Sequence, residues 1–345
     1  MLSELLLNWY DKYKRKFVFR GPTDPYLVWV SEIMLQQTRT ETVEDYYIRF
    51  VNRFPTVRAL ADADEEDVLK AWEGLGYYSR ARNMHKCAKV ICEKYGGVFP
   101  DEYDAVRALP GIGPYTAASV LSIAFDKPYP AMDGNLTRVL SRVYGVRECV
   151  DLPPVAEKLR SIGEREMPPR RCGDFNQALM DIGATICLPG TPDCEACPLR
   201  GVCDACEKGD AHALPVKKAA KPPVPVDVSV LIVKQGERVL MQQREQTLLK
   251  GLWTYLLFEN RNEQQVQSDL KKAGLDCRYV RQMGEAVHVF THLVWNMTVY
   301  EYEMSEDAPL PVGVRAVTKN EMEKLPMPVA MKKARKLCMD EVFVR

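Results

Sequence analysis

The chain has 345 residues, 46% of them hydrophobic and 27% charged, a length and balance that fit two soluble domains with sizeable cores and exclude a disordered or fibrous chain. Lys+Arg and Asp+Glu both number 47, so bulk charge neither announces nor excludes a nucleic-acid partner. No apolar run approaches the roughly 20 residues that span a bilayer, and the amino terminus MLSELLLNWYDKYKRK has no basic leader, long apolar stretch or cleavage site; a cytoplasmic protein without membrane contact is expected.

Residues 1–209 read as helix after helix. PYLVWVSEIMLQQ, ETVEDYYIRFVNRF, DEEDVLKAWEGL, ARNMHKCAKVICEKYG, YTAASVLSIAF, NLTRVLSRVYG and FNQALMDIGATIC all space apolar residues by three and four between Pro, Gly or Asp boundaries. Residues 1–210 carry 27 basic against 31 acidic side chains, a net of −4, so DNA binding there must come from placed groups such as helix amino termini. Glu32 falls inside LVWVSEIML, on a helix opened by Asp24 and Pro25. Desolvation there should raise its pKa and keep it protonated, as a general acid requires; a solvent-facing glutamate is the plain alternative.

LPGIGPYTAASVLSIAF, Leu109 to Phe125, sets a tight turn between two helices. Gly111 and Gly113 are expected to free the backbone, Pro114 to open the second helix, and the unpaired N–H groups to suit a phosphate oxygen. Asp133, ahead of Gly134 and Asn135, sits where a helix amino terminus favours the ionised carboxylate. On the residues alone an ordinary N-cap is the plainer reading.

Cys187, Cys194, Cys197 and Cys203 stand at C-x6-C-x2-C-x5-C, among 11 cysteines in the chain. With no secretion signal, the clustering argues for metal chemistry rather than disulfides. Zinc sites usually pair two CxxC-like units, and only Cys194 and Cys197 form one here. Four thiolates in a proline-rich loop suit a cubane iron-sulfur cluster, one cysteine per iron; Cys206 is a spare, and four buried structural thiols are the alternative.

After Asp210, AHALPVKKAAKPPVPVD reads as an extended surface linker over 210–226. From 227 to 345 the pattern changes to short β-rich runs, VSVLIVK, ERVLMQQR, WTYLLFE and LVWNMTVYEYE, interrupted by one helical stretch, EQQVQSDLKKAG. This second domain is α+β.

LPGIGPYTA, PAMDGN and the cysteine loop together resemble the helix-hairpin-helix DNA glycosylases that carry a 4Fe-4S cluster. VSEIMLQQT (Val30–Thr38), GLGYYSRARN (Gly74–Asn83) and FNQALMDIGATIC (Phe175–Cys187) are similar to the MutY branch, the adenine glycosylases acting on adenine opposite 8-oxoguanine. The resemblance implies an all-helical helix-hairpin-helix glycosylase domain with its cluster loop at 187–203, followed by a Nudix-like α+β domain that reads 8-oxoguanine. It implies catalytic roles for Glu32, Asp133, Tyr115 and Asn135. Asp133 would stabilise the cationic sugar or bond to it transiently, and Glu32 would then activate water. Tyr115 stands where lyase-active relatives carry a Schiff-base lysine, which implies a monofunctional enzyme. Gln37 and Tyr77 would fill the space left by a flipped base; Tyr77 is otherwise a packing aromatic. Arg20, Leu35 and Gln177 would line the adenine pocket, with glutamine suited to an adenine edge. FVFR at Phe17 to Arg20 departs from the family's Leu-Pro-Trp-Arg pattern at the pocket wall. Gly111 and Gly113 would hold the DNA backbone, and Arg200 a phosphate. Arg138 and Arg142 are expected on a solvated helix face, with backbone contacts as the alternative.

In the second domain, QSDLKKAGL, Gln267 to Leu275, corresponds to the Nudix metal helix, but Ser268, Lys271 and Lys272 replace its glutamates. Metal binding and pyrophosphate hydrolysis are not expected. Phe290-Thr291-His292 resembles the family's Phe-Ser-His loop that contacts 8-oxoguanine; alone, it could simply begin a strand. The enzyme is expected to act as a monomer on duplex DNA with adenine opposite 8-oxoguanine or guanine, with a replication clamp as a candidate partner. A bifunctional glycosylase/lyase and a non-catalytic iron-sulfur DNA-binding redox sensor are the competing readings.

Overall fold

Apolar spacing of three and four residues gives helices throughout the first 210 residues of a computed structural model, which describes residues 2–219, 221–261 and 263–337. The chain divides into two units, Met1–Asp62 with Asn83–Ala219 and Ala63–Arg82 with Ala220–Arg345.

Two helices of the first unit are buried almost all round. Pro25–Leu35 starts where the Asp24 carboxylate accepts hydrogen bonds from the Tyr26 and Leu27 N–H groups at 2.8 and 3.2 Å, with Pro25 at the first position. Its residues from Val28 to Met34 are all buried, Glu32 among them. It packs on the equally apolar helix Pro114–Phe125, which carries Tyr115. Helix Cys172–Thr185 lies against Gly134–Val143 and the amino-terminal helix Leu2–Tyr13. Their shared core includes Leu6, Leu136, Leu140, Phe175, Leu179 and Ile182, each contributing roughly 1.5–3 kcal/mol by burial. These packed helices form the frame that fixes two carboxylates and a phenol around one cavity.

The second unit is built on a sheet of β1 (Val224–Gln235), β2 (Arg238–Gln243), β3 (Trp253–Thr254), β4 (Leu256–Glu259), β5 (Arg278–Val289), β6 (Leu293–Met304) and β7 (Val314–Val317). The order is β3-β2-β1-β6-β5, with β4 also on β1 and β7 also on β2. β1 and β6 run parallel from Val224↔Leu293 to Gln235↔Met304. Among the described residues after 220, three helices accompany the sheet: the expected Glu263–Lys272, and also Lys319–Lys324, started by a Thr318/Glu321 capping box, and Val329–Lys336. The single helical stretch read from the sequence therefore undercounts them, because the last two are short and rich in Lys. Residues 63–82 pack on this unit: Trp253 Nε1 donates to Glu66 at 2.7 Å, Lys70 Nζ to the Leu325 carbonyl at 3.0 Å, and Lys332 pairs with Glu73 at 3.0 Å.

Within 210–226 the backbone is fastened before it enters β1. Val150 N–H donates to the Val216 carbonyl at 2.9 Å, and Lys218 N–H to Asp151 at 2.8 Å. Among the described residues no helix is long and apolar enough to cross a membrane.

Candidate active site

Glu32 is only 6% exposed, and its Oε2 accepts a hydrogen bond from the Tyr115 hydroxyl at 2.6 Å. Burial raises its pKa; the Tyr115 and Ser119 hydroxyls and the Arg20 charge act the other way, and Asp133 adds to the rise. The solvent-facing alternative is excluded. Tyr115 is itself pushed well above the ordinary phenol range, by burial first and then by the two carboxyls, so it stays a hydrogen-bond donor.

Asp133 caps Gly134–Val143: Oδ1 accepts from Leu136 N–H at 2.7 Å and Oδ2 from the Asn135 side-chain amide at 2.8 Å. The ordinary N-cap reading is thus part of the structure, and it does not exclude the other role. The sequence places this carboxylate where a helix amino terminus favours the ionised form. Burial outweighs the cap, however, and the net direction of the Asp133 pKa is upward, although Leu136, Asn135 and Arg138 all oppose the rise.

Glu32, Asp133, Tyr115 and Asn135 line one cavity of about 200 Å3, together with Arg20, Leu35 and Gln177. Phe17 and Phe19 form its aromatic wall, stacked with centroids 5.2 Å apart and 10° between planes, and Phe19 meets Tyr47 edge-on at 5.9 Å. The FVFR departure therefore keeps an aromatic wall. The Arg20 guanidinium lies over Phe17 and forks onto Asp181 at 2.6 and 2.9 Å. Asp181, 0% exposed, also accepts from Arg15 Nε at 2.6 Å. Gln177 accepts from the Tyr10 hydroxyl at 2.6 Å, which leaves its amide N–H groups for the cavity.

Sequence reasoning missed Asp181 and Tyr10. Asp181 carried the same signal as Glu32, a charge inside an apolar run, in FNQALMDIGATIC. It also missed Asn176, 0% exposed, which accepts from Ala131 N–H at 3.0 Å and donates to the Tyr129 carbonyl at 2.9 Å, holding the strand of chain that leads to Asp133.

Gln37 stands outside the cavity lining, exposed, at φ 55. Tyr77, in the other unit, is also exposed, at φ 47. The two residues assigned to base replacement thus share a backbone conformation that costs a non-glycine residue energy.

In the hairpin, Gly111 adopts φ 75, and a Cβ there would come within 2.5 Å of Asn83 Cβ, so only glycine fits. Gly113, expected to share that task, has φ −84 and ψ 172, which any residue adopts. It is the N-cap of Pro114–Phe125 and offers no side-chain cap to the first-turn N–H groups; the space where its Cβ would lie is open.

Arg138 and Arg142 do not lie on a solvated face. Arg142 is 1% exposed and donates to Cys187 Sγ at 3.2 Å and to the Leu188 and Leu214 carbonyls at 2.8 and 3.0 Å. Arg138 donates to the Cys187 and Gly183 carbonyls, both at 2.7 Å, and to Asn135 at 2.8 Å. The helix that Asp133 caps is therefore tied to the start of the cysteine loop. Arg200, at the far end of that loop, pairs with Glu195.

Among the described residues no group of three or more His, Cys, Asp or Glu is set to hold a metal ion. The four cysteines nevertheless fit a larger group. Cys187, Cys197 and Cys203 pack against one core, and burial pushes Cys194 and Cys197 up to about 11, each raised further by the other thiols of the set. Sulfurs that oppose one another's ionisation need a cationic partner between them. The buried Arg142, whose Nη2 has no protein partner, suits the net negative charge such a thiolate-bound group carries. Cys206 interacts with Cys194.

In the second unit, Phe290-Thr291-His292 forms the turn between β5 and β6 rather than the start of a strand. Thr291 Oγ1 and the Tyr77 hydroxyl are 2.6 Å apart, and Phe290 meets the His288 and Trp295 rings edge-on at 4.6 and 5.1 Å. All of these except Trp295 line a pocket of about 390 Å3, with His292, Leu248 and Pro328.

Comparison with known proteins finds two family matches, the first of which runs through residues 63–82. Residues 30–165 match the HhH-GPD superfamily of base excision DNA repair proteins, and residues 228–337 match the NUDIX domain. The chain is 36% identical to the adenine DNA glycosylase of Buchnera aphidicola subsp. Acyrthosiphon pisum (strain APS) over 296 residues, covering 85% of this chain and 84% of that one. It is 32% identical to the adenine DNA glycosylase of Homo sapiens over 393 residues, covering 95% and 72%. A thermostable thymine-DNA glycosylase structure superposes with a TM-score of 0.56 at 31% identity, covering 60% of this chain and 95% of that one.

Proposed function

Since the chain belongs to the adenine DNA glycosylase family, hydrolases of N-glycosyl bonds in base excision repair, we propose that it removes adenine mispaired with 8-oxoguanine or guanine from duplex DNA and leaves the strand uncut. The observation that carries the residue assignment is the Glu32–Tyr115 pair at 2.6 Å, sharing one buried cavity with Asp133.

Both carboxyls are pushed toward the neutral form, yet they are not equivalent. Asp133 has backbone and side-chain N–H donors and Arg138 to favour its charge; Glu32 has no N–H donor, only the Tyr115 and Ser119 hydroxyls and the Arg20 charge. The proton therefore resides on Glu32. Glu32 delivers it to the leaving purine as the glycosidic bond breaks, and Asp133 stabilises the oxocarbenium-like sugar. Glu32, now a carboxylate, takes a proton from the attacking water. Arg20, fixed by Asp181, and Gln177, oriented by Tyr10, address the polar edges of the base, while Leu35, Phe17 and Phe19 pack its faces. Among the described residues lining the cavity none is a lysine, which supports water rather than an amine as nucleophile.

The first-turn N–H groups of Pro114–Phe125 and the hairpin at Gly111 and Gly113 hold a backbone phosphate. Tyr77, Phe290, Thr291 and His292 read 8-oxoguanine, and Gln37 with Tyr77 fills the vacated stack. Cys187, Cys194, Cys197 and Cys203 would hold a 4Fe-4S cluster. Its iron–thiolate bonds would cross-link the loop, which Arg138 and Arg142 join to the helix behind Asp133.

Single-turnover reaction on a duplex with one adenine opposite 8-oxoguanine tests the reading. Wild type should yield strand breaks only after alkali and no borohydride-trapped adduct. Release of no adenine would refute the substrate assignment, and an adduct would restore the lyase.

A further inference from the structure

Ser119 lies one turn beyond Tyr115 on the helix Pro114–Phe125, on the same face, and is 0% exposed. Serines inside helices commonly return their hydroxyl to a carbonyl three or four residues back. Ser31 does so to Val28 at 2.8 Å, Ser122 to Ser119 at 3.1 Å and Ser141 to Thr137 at 2.6 Å. Ser119 does not: its Oγ reaches no partner at full hydrogen-bond geometry, an unfavourable state for a buried hydroxyl, although Glu32 and Tyr115 lie within its reach. The groups it acts on are the Glu32 carboxyl, whose ionised form it favours, and the Tyr115 hydroxyl already bonded to that carboxyl at 2.6 Å.

We propose that Ser119 is a positioning residue for base release, its hydroxyl held ready to donate to the Glu32 carboxylate at the moment that carboxylate forms. The inference rests on Glu32 being the acid. In the resting site a neutral Glu32 accepts the Tyr115 bond at full geometry and has little call for a second donor as strong. When the glycosidic C–N bond breaks, its electron pair leaves with the base, a base nitrogen takes the Glu32 proton, and one negative charge appears on the two carboxyl oxygens. Rotation of the Ser119 O–H supplies the second donor without moving either helix. A hydrogen bond made only after proton transfer stabilises the transition state and not the ground state.

The test is the pH profile of single-turnover adenine release for S119A and S119C, with E32Q alongside and with Tm and duplex affinity measured for each. Rate requires protonated Glu32, so it falls as pH rises through the Glu32 pKa. Without the Ser119 donor the charged form is less favoured, so the falling limb of S119A should move up by about one pH unit while its plateau drops about tenfold. S119C, nearly the same size and a weaker donor, should fall between, and duplex affinity should not change. A wild-type limb in both variants overturns the inference and leaves Ser119 as packing. Should S119A fail to fold, the limb of S119C decides in the same way. If E32Q releases adenine as fast as wild type, the acid assignment itself falls and takes this inference with it; if E32Q is inactive and the S119A limb is unmoved, only the inference is lost.

Discussion

The cavity around Glu32 and the pocket around Thr291 differ in what their polar groups have lost. In the first, Glu32 and Asp133 are taken out of water and their protonation is altered by burial. In the second, the polar contact on the turn is an exposed pair of neutral hydroxyls, Tyr77 and Thr291. Proton transfer needs a group whose charge state is in play near neutral pH, whereas reading a base needs donors and acceptors fixed in place and reachable. On the proposed reading the first site does chemistry and the second recognition, and substitutions should separate them.

The largest effect is expected at the acid. Glu32→Gln keeps the shape and the bond from Tyr115 but has no transferable proton, so single-turnover release should fall by roughly 10³-fold or more, equally for adenine opposite 8-oxoguanine and opposite guanine. Equal loss on both substrates marks a chemical residue. A loss confined to one substrate would instead make Glu32 part of the reading apparatus.

Next comes the support of the base pocket. Asp181→Ala leaves Arg15 and Arg20 facing a buried gap where both now bond to one fully buried carboxylate. Breaking such a pair from one side costs about 3–5 kcal/mol, which should appear as a marked fall in Tm. Asp181→Asn keeps the volume and should recover part of it. A Tm like that of the wild type for the alanine variant would show that the arginines find water instead.

How much of this was legible depended on whether a local pattern existed. The helices around the cavity announced themselves through spacing and caps, Asp24 before Pro25 and Asp133 before Gly134, because a capped amphipathic or buried helix is decided largely by its own residues. Glu32 was legible as a charge among apolar neighbours. Asp181 carried the same mark, but what it binds comes from Arg15 and Arg20, far away in the chain. The inward turn of Arg138 and Arg142 was hidden for that reason too, since their partners are backbone carbonyls and a thiol on another element. DEEDVLKAWEGL reads as a helix, yet nothing in its period tells which unit it packs on. β5 escaped notice because it is an edge strand with two irregularities, at Tyr279/Arg281 and Gln282/Gly284, and its exposed faces erase the alternation that marks a half-buried strand.

On the reading side the expected effect is smaller and selective. Thr291→Ala removes one exposed hydrogen bond, worth about 0.5–1.5 kcal/mol. Release opposite 8-oxoguanine should slow by up to about tenfold, with release opposite guanine unchanged. Tyr77→Phe should match it if the two hydroxyls act as one unit, and a double variant should then add little. An equal fall on both substrates would mean that the turn supports folding instead of discriminating the base.

The smallest effect links the two kinds of site through stability. A carboxyl whose folded pKa lies above its unfolded value holds its proton longer when folded, so its contribution is fully present below the unfolded value near 4.5 and is lost as pH rises through the raised folded value. Glu32 therefore makes the wild type less stable at alkaline than at acidic pH, and Glu32→Gln, with nothing to ionise, should remove that part of the slope. At pH 8 the variant should melt higher by about 2–4 °C, the shift that roughly 1 kcal/mol produces in a unit of this size, and the difference should shrink toward pH 5. Thr291→Ala has no such titrating group and should run parallel to the wild type across the same range. Parallel melting curves for Glu32→Gln as well would mean that Glu32 is already ionised in the resting fold, and the proton needed for base release would have to be sought on Asp133.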